Sequence, residues 1–261
     1  MTQAWLPLEA WLRGAASDLK IGMLFSTRIP LPHAAPIGGA DVARASRALP
    51  VIGVLIGGLG ALAYWIAFHF SLSPLVGAAL AVAATLAATG CLHEDGLADT
   101  FDGFGGSSRE RKLEIMRDSR IGTYGACALA MSLMLRVTAL ASLAGPGAAA
   151  VALIAAHAGA RAILPLFLYW VPPARPDGLS ADAGRPSGSS VVVAGLLGLV
   201  ALLGSLGPAR TVAALVLLLV VLVIMRRLCL RQIGGQTGDT AGALEQISEV
   251  AILLTAAAGS A

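Results

Sequence analysis

Residues 74–103 read PLVGAALAVAATLAATGCLHEDGLADTFDG. The first part of this stretch is apolar and nearly reaches the roughly 20 residues that an α-helix needs to cross a bilayer. Four carboxylates follow directly, in a position where a lipid-facing helix avoids charge. Seven of the chain's 15 carboxylates lie between Glu94 and Asp118. The stretch therefore predicts a membrane helix that ends at a polar, functional surface.

The acidic part has helical spacing. In a helix, Asp95, Asp99 and Asp102 fall at i, i+4 and i+7, so that three carboxylates share one face. Such charges repel one another unless a cation lies among them, and hard oxygen ligands of this kind suit Mg²⁺. We therefore predict a divalent-metal site at the membrane surface. Asp239 and Glu245, from a later segment, are further candidate ligands.

Composition identifies the class of protein. Apolar residues make up 57% of the chain and charged residues 13%, with a mean hydropathy of +0.80, whereas charged residues make up about a quarter of soluble proteins. This is the composition of a polytopic membrane protein. The formal net charge of +3 and the lack of basic runs interleaved with aromatics exclude nucleic acid as a partner. The three cysteines lie in or beside apolar segments and predict no disulfide framework.

We expect one all-α membrane bundle over residues 1–261, with about seven transmembrane helices. An N-terminal interfacial or re-entrant arm covers 1–48, an acidic motif loop 93–123, and a second, glycine-rich motif loop 231–243. The predicted spans are 49–70, 74–92, 124–144, 147–170, 190–206, 209–230 and 244–259. Lys and Arg concentrate in the longer connections, which predicts a cytoplasmic N-terminus, an outer C-terminus and both motif loops on the cytoplasmic face.

Arginines follow the acidic stripe. After a Gly105-Gly106 hinge and a short charged helix, Arg117 and Arg120 flank Asp118. Planar guanidinium groups in a Gly/Ser-containing segment are well suited to hold phosphate oxygens. Residues 109–114 are interpreted as a solvated helix with internal ion pairs, so Arg109 is predicted to be peripheral. A metal site beside an arginine site suggests a phosphorylated substrate.

A second polar island, residues 234–249, precedes the last apolar helix. A helix that starts near Asp239 would offer free N–H groups to an anion, although the segment lacks the lysine of a P-loop. Glu245 and Glu249 lie one turn apart in a predicted membrane helix and should face a cavity or a partner. The alternative is that this helix barely enters the bilayer and that its glutamates are solvated.

Single charged residues in apolar stretches add further candidates. Arg28 faces either the phosphate site or lipid headgroups. Arg136 and Arg161 fall inside predicted helices and must line the bundle interior or pair with a carboxylate. His157 has the position of a hydrogen-bonded interior histidine. His93, directly before the acidic face, is the candidate base or positioning group.

Five segments, taken together and in order, resemble the cobalamin synthase family of membrane ribazoletransferases. They are residues 25–30 (FSTRIP), 50–53 (PVIG), 89–103 (TGCLHEDGLADTFDG), 113–123 (LEIMRDSRIGT) and 234–240 (GGQTGDT). The chain departs from the family pattern at Cys91, where glycine is usual, and at Glu94, where an apolar residue is usual. Neither departure removes an acid from the stripe, and the part of Glu94 in metal binding stays open.

The resemblance implies a transferase of the bacterial inner membrane, with its active site facing the cytoplasm. It implies transfer of cobinamide phosphate from adenosylcobinamide-GDP to α-ribazole or α-ribazole 5′-phosphate, with Mg²⁺ as cofactor, membrane lipid as surroundings and GMP as leaving group. Self-association and association with other enzymes of corrinoid assembly are both left open. The expected catalytic residues are His93, Asp95, Asp99 and Asp102. The expected substrate and phosphate contacts are Arg28, Arg117, Asp118, Arg120, Gly235, Gln236, Thr237 and Asp239.

Two other functions compete with this one. An ion-coupled transporter would use Glu245, Glu249 and Arg161 as an intramembrane path, but the densest acid cluster lies at a helix end. A CDP-alcohol phosphotransferase also sets aspartates on a membrane helix for the same metal chemistry. Its usual Asp-Gly-x-x-Ala-Arg pattern is not met, because Asp99 follows Ala98 where arginine is needed.

Overall fold

A computed structural model describes residues 6–32, 37–143 and 145–258, and within them every regular element is helical. The all-α prediction is therefore confirmed. Trp5, which belongs to the predicted interfacial arm, lies outside the described residues. The α-helices are α1 Leu6–Ser26, α2 Gly39–Ala45, α3 Leu49–His69, α4 Pro74–Thr89, α5 Leu92–Phe104, α6 Arg109–Ile115, α7 Thr123–Ala141, α8 Pro146–Ala162, α9 Leu164–Trp170, α10 Leu179–Ala183, α11 Gly188–Gln232 and α12 Gly238–Ala257.

The predicted count of seven spans is not confirmed. Within the described residues, four helical stretches are long and apolar enough to cross a bilayer, or five if α4 and α5 together form one bent span. One of them, the 45-residue α11, is divided at Gly207, whose φ of 74° is left-handed. The predicted last span, 244–259, falls in α12, which is not among these stretches and carries Asp239, Glu245 and Glu249.

Helices α3 and α8 form the most closely packed pair of the bundle. A Cβ added at Gly53 would lie 2.2 Å from the carbonyl oxygen of His157, and one added at Gly57 would lie 2.6 Å from that of Leu153. Only glycine permits backbones to approach so closely, as in other membrane helix pairs. The contact holds α8 at the centre of the bundle, so that His157 and Arg161 project into its interior.

Helices α4 and α5 meet at a bend of 90°. Two consecutive residues make it, Gly90 with φ 64° and Cys91 with φ 59°. The left-handed region suits glycine and disfavours residues with a Cβ, which gives a physical reason for glycine at position 91 in the family pattern. The bend and the polar side chains of α5 set this helix apart from the four spans, and we treat it as lying outside the membrane-spanning segments.

Candidate active site

Helix α5 crosses the start of α12 at two glycines. A Cβ added at Gly96 would lie 2.7 Å from the backbone oxygen of Asp239, and one added at Gly242 would lie 3.2 Å from the Cα of His93. The two backbones therefore touch, with no side chain between them. This crossing brings the acidic stripe and the glycine-rich motif, separated by more than a hundred residues in sequence, to one place.

A cluster of three carboxylates, Asp95, Asp99 and Asp239, lies at this crossing and is called the aspartate cluster below. Burial raises the pKa of Asp99 to about 7, with the negative charges of Asp95, Asp239 and Asp102 adding to the effect. Burial also raises the pKa of Asp239. Within the described residues, Asp95 and Asp99 form no ion pair. Such a concentration of unpaired negative charge favours a bound cation.

Asp102, the third member of the predicted stripe, anchors a helix. Its Oδ2 accepts a hydrogen bond from the backbone N–H of Gly122 at 2.7 Å, and its Oδ1 accepts one from Gly125 at 2.8 Å. Both N–H groups belong to the first turn of α7, where no intrahelical acceptor is available. Asp102 therefore ties α5 to the start of α7, a role that its spacing in the sequence did not reveal.

The aspartate cluster fits Mg²⁺ better than a metal held entirely by protein ligands. Within the described residues, only His157, Glu245 and Glu249 bring three ligand atoms within 4.8 Å of one another. Mg²⁺ keeps several waters and is usually held by one or two carboxylates together with substrate phosphates. An open set of oxygen donors beside the arginines that we predicted to bind phosphate meets that requirement. The aspartates are therefore the residues that could hold the metal.

Glu94 and Glu249 belong to a buried ion-pair network around Arg136. Arg136, 1% exposed, lies 2.8 Å from Glu94 Oε1 and 2.8 Å from Glu249 Oε1. Its guanidinium also donates to Gln246 Oε1 at 3.1 Å. Glu94 is thus the partner of an interior arginine, which accounts for a carboxylate at this buried position.

Glu245 lies in the same network and not in the aspartate cluster where we predicted it as a further metal ligand. Its Oε1 is 2.6 Å from Arg161 Nη1 and its Oε2 is 3.5 Å from His93 Nδ1. Arg161 Nη2 also lies 3.3 Å from His93 Nδ1. His157 Nδ1 lies 3.1 Å from Glu249 Oε2. The prediction that interior arginines pair with carboxylates is therefore confirmed.

The two predicted phosphate-binding arginines lie on the exposed loop after α6. Arg117 Nη2 donates to Asp177 at 2.6 and 2.8 Å, and Arg120 pairs with Asp118 at 2.6 Å. Hydrogen bonds from Arg120 lower the pKa of Asp118 to about 2. Exposed pairs of this kind contribute little to stability, so a phosphate can readily replace the carboxylate as the partner of Arg117.

Arg175 is a site residue that sequence reasoning missed. Its Nη2 is 3.8 Å from Asp239 Oδ2, its side chain is 16% exposed, and its Nη1 is buried without a hydrogen-bond partner. The preceding segment pairs with the second motif, since Ala174 N–H donates to the Gln236 oxygen and Gln236 N–H to the Pro172 oxygen, both at 2.8 Å. No local sequence pattern predicts this backbone pairing, which brings Arg175 to the aspartate cluster.

The prediction that Arg109 is peripheral was wrong. Its Nε donates to the Ile233 carbonyl at 2.8 Å and its Nη2 donates to the Ala174 carbonyl at 2.6 Å. One guanidinium therefore links α6, the segment that carries Arg175 and the second motif. A solvated surface helix would leave such a side chain free, so the tertiary contacts override the local interpretation.

The second motif, residues 234–240, mainly caps α12 and pairs with the segment before Arg175. Gln236 and Thr237 are 3% and 2% exposed, and Thr237 Oγ1 caps α12 by accepting from the Thr240 N–H at 3.2 Å. A Cβ at Gly235 would lie 2.4 Å from the Pro172 oxygen, so glycine is needed for the chain pairing. Asp239 is the member of this motif that reaches the aspartate cluster.

Arg28 packs on the bend between α4 and α5. A Cβ added at Gly90 would lie 2.4 Å from Arg28 Nε, and the Arg28 N–H donates to the Ala88 oxygen at 2.8 Å. The guanidinium therefore lies against the backbone that turns the chain into α5. This contact ties the N-terminal arm to the site.

Two cavities lie on either side of α5 and share Asp95. The apolar cavity, of about 130 Å³, lies between α1, α2, α3, α5, α9, α10 and α12, and Asp239 and His93 also line it. The loop cavity, of about 500 Å³, is lined by Asp99, Arg117 and the rest of the loop after α6. The site is therefore a carboxylate cluster between one apolar and one charged compartment, an arrangement suited to joining two different molecules.

Together, the helical bundle and this site define an integral membrane protein with a carboxylate centre at one end of its helices. A sequence profile of the family described as Cobalamin-5-phosphate synthase matches residues 18–257, and the chain belongs to this family. The family is one of transferases, so the chain is an enzyme.

Named relatives agree with this assignment. Proteins named adenosylcobinamide-GDP ribazoletransferase from Bradyrhizobium diazoefficiens and Mesorhizobium japonicum are 52% and 50% identical to the chain, covering 97% and 94% of it and 98% and 94% of their own lengths. One from Ralstonia nicotianae is 41% identical, with 94% and 96% covered. No solved structure matches the chain.

Proposed function

We propose that the enzyme joins adenosylcobinamide-GDP to α-ribazole, or to its 5′-phosphate, and releases GMP. The 5′ hydroxyl oxygen of the ribazole attacks the phosphorus that carries the cobinamide, the bond from this phosphorus to the GMP oxygen breaks, and the hydroxyl proton is lost. The observation that supports this proposal is the aspartate cluster, which lies between two cavities and in which Asp95 and Asp99 form no ion pair among the described residues. The names of the relatives supply the substrates.

Asp95, Asp99 and Asp239 are the proposed Mg²⁺ ligands. Bound Mg²⁺ supplies charge neutralisation for the pyrophosphate and for the leaving GMP. Asp102 is better placed as the anchor of α7, because both of its oxygens already accept backbone hydrogen bonds. Glu245 is not included in the proposed set, because its carboxylate pairs with Arg161 at 2.6 Å.

Two arginines are proposed to hold phosphate oxygens. Arg175 lies beside Asp239 with an unbonded Nη1, and Arg117 lines the loop cavity. Guanidinium groups bind phosphate oxygens in a fixed geometry, which orients the reacting phosphorus. Arg120, whose side chain is 86% exposed, is assigned to the rim.

The hydroxyl proton has two candidate acceptors. A carboxylate of the aspartate cluster is the first, because these side chains line both cavities and a carboxylate can act as a general base. His93 is the second, and it lines the apolar cavity. Its Nδ1 faces the Arg161 guanidinium, which favours a positioning role for His93. We propose the inner membrane as the location and the cytoplasmic face for the site, in keeping with the Lys and Arg of the connecting loops.

The test is a GMP-release assay on detergent-solubilised enzyme with both substrates, with and without Mg²⁺. We expect turnover that needs both substrates and Mg²⁺ and that is lost in Asp95→Asn. Arg111→Ala is the matched control, since Arg111 forms only an exposed pair with Glu114. Absence of turnover in folded, Mg²⁺-supplied protein would contradict the proposal. Substrate-independent ion uptake by proteoliposomes would then favour the transporter alternative.

A further inference from the structure

The apolar cavity is too small and too apolar for most parts of the two substrates. Residues from seven α-helices line it, among them Phe25, Val42, Ala45, Leu49, Leu164 and Leu168. Its volume of about 130 Å³ is close to the ~150 Å³ of an apolar protein cavity that holds a benzene ring. Phe25 is 40% exposed, so the cavity is not sealed from outside. A single aromatic ring matches this volume, so the six-membered ring of a fused base can enter it, whereas a corrin macrocycle is far too large.

The hydroxyl groups of this wall are already engaged. Ser26 Oγ donates to the Gly22 oxygen and Ser46 Oγ to the Ala43 oxygen, each at 2.7 Å. Away from His93, Asp95 and Asp239, the wall offers few free partners to the several donors and acceptors of a guanine base, and burial of a polar group without a partner is unfavourable. A benzimidazole-type base has no hydrogen-bonding substituents on its carbocycle. The wall therefore favours the ribazole base over guanine.

The loop cavity, on the opposite side of α5, has a polar and charged wall. The loop cavity is larger, about 500 Å³, and is lined by Asp99, Arg117, Asp118 and Ser119. Arginine and loop hydroxyl groups suit a pyrophosphate and a polar nucleotide. Asp95 lines both cavities, so groups bound on the two sides would meet at the aspartate cluster.

We propose that the apolar cavity is the binding site of the aromatic base of the ribazole nucleoside, and that the loop cavity receives the GDP-activated substrate. This assignment rests on the proposed function. With its base between α1, α2 and α9, the nucleoside extends its ribose past Asp95 and Asp239, which line the same cavity. The 5′ hydroxyl then reaches the aspartate cluster from the side opposite the leaving GMP, as in-line displacement requires. Ala43 and Leu168 become specificity-determining residues for the base.

The experiment measures the KM of each substrate separately in variants of the two walls. Ala43→Leu fills the apolar cavity and is expected to raise the KM for α-ribazole about tenfold or more, with the KM for adenosylcobinamide-GDP unchanged. Ser119→Trp fills the loop cavity and is expected to do the opposite. Melting temperatures in detergent establish that both variants fold.

A second variant enlarges the cavity. Leu168→Ala should improve the relative kcat/KM for a ribazole analogue with a larger fused base, and lower it for the natural base. A change in size preference is not expected from mere loosening of the fold, which would affect both nucleosides alike. Fluorescence of the bound base, which reports burial in an apolar site, checks binding without turnover.

The outcomes separate this inference from the proposed function. Wild-type enzyme that releases no GMP contradicts the proposed function itself. Active wild-type enzyme in which Ala43→Leu raises the KM for adenosylcobinamide-GDP alone, or in which neither KM changes, overturns the assignment of the cavities. Unaltered base preference in Leu168→Ala also overturns it.

Discussion

Two groups of acids lie close together in this enzyme and differ in their partners. In the buried network, Glu94, Glu245 and Glu249 each have an arginine nitrogen within 2.8 Å. In the aspartate cluster, the nearest arginine contact is that of Arg175, at 3.8 Å from Asp239. Glu94 and Asp95 are adjacent in sequence but belong to different groups, since neighbouring residues of a helix face different directions.

The comparison shows how the bundle separates structural from functional charge. Charges that are paired in the interior are held by their partners, and loss of one partner leaves the other charge buried alone. Carboxylates without partners at a cavity can accept a cation and a substrate. The first four predictions below each test one of the two groups, and the last tests the bend that leads into α5.

Arg136→Leu should have the largest effect, on folding. It leaves Glu94 and Glu249 buried without their cation, at a cost of about 3–5 kcal/mol. We expect little folded protein in detergent extracts, measured by size-exclusion chromatography. The control is Glu94→Leu, which leaves Arg136 paired with Glu249 and restores the apolar residue usual in the family. Equal loss of folded protein in both variants would contradict this account of the network.

Asp99→Asn should abolish activity without unfolding the protein. It removes one negative charge from the aspartate cluster, and we expect GMP release to fall about 10²- to 10³-fold, the range seen when one electrostatic group of a catalytic site is lost. Glu110→Gln, an acid on the exposed helix α6, is the matched control. An active Asp99→Asn enzyme would exclude this carboxylate from the site.

Arg175→Ala should weaken binding of the pyrophosphate substrate. Loss of a charge-assisted hydrogen bond costs about 1.5–3 kcal/mol, which corresponds to about a 10- to 150-fold rise in KM for adenosylcobinamide-GDP. The KM for α-ribazole should stay the same. Arg111→Ala again serves as control, and an unchanged KM in Arg175→Ala would remove this arginine from the phosphate site.

The pKa of Asp99 predicts a pH-dependent effect of Mg²⁺ on stability. Because the pKa is about 7 in the folded, metal-free protein and about 4 when unfolded, the folded state holds the extra proton and loses stability as pH rises through this window. Mg²⁺ binds the deprotonated form and should reverse the loss. We expect a larger rise in Tm on Mg²⁺ addition at pH 7.5 than at pH 5.5, and no such difference in Asp99→Asn. Equal shifts at both pH values would argue against Asp99 as a ligand.

Cys91→Gly should have the smallest effect and a positive one. The left-handed φ of 59° strains a residue with a Cβ, so glycine should stabilise the bend by about 0.5–1 kcal/mol after allowance for its greater freedom in the unfolded chain. Cys127→Gly is the matched control in helix α7, where glycine should destabilise by about 1 kcal/mol. A lower Tm for Cys91→Gly would show that the thiol makes a compensating contact.

The sequence by itself determined the all-α membrane class and the family, and it predicted the acidic stripe as the centre of the site. These follow from hydropathy, from helical spacing and from motifs that are local in the chain. It also indicated that Arg136 and Arg161 need partners, because a charge inside an apolar helix cannot stay unpaired.

Only the tertiary structure decided which acids belong together. The crossing at Gly96 and Gly242 placed Asp239 in the aspartate cluster, while Glu245, six residues further along α12, turned into the ion-pair network. Arg175 and Arg109 acquired their places through contacts between distant segments. Spacing along a chain determines the face of a helix on which a side chain lies, but the partner of that face depends on how the helices pack against one another.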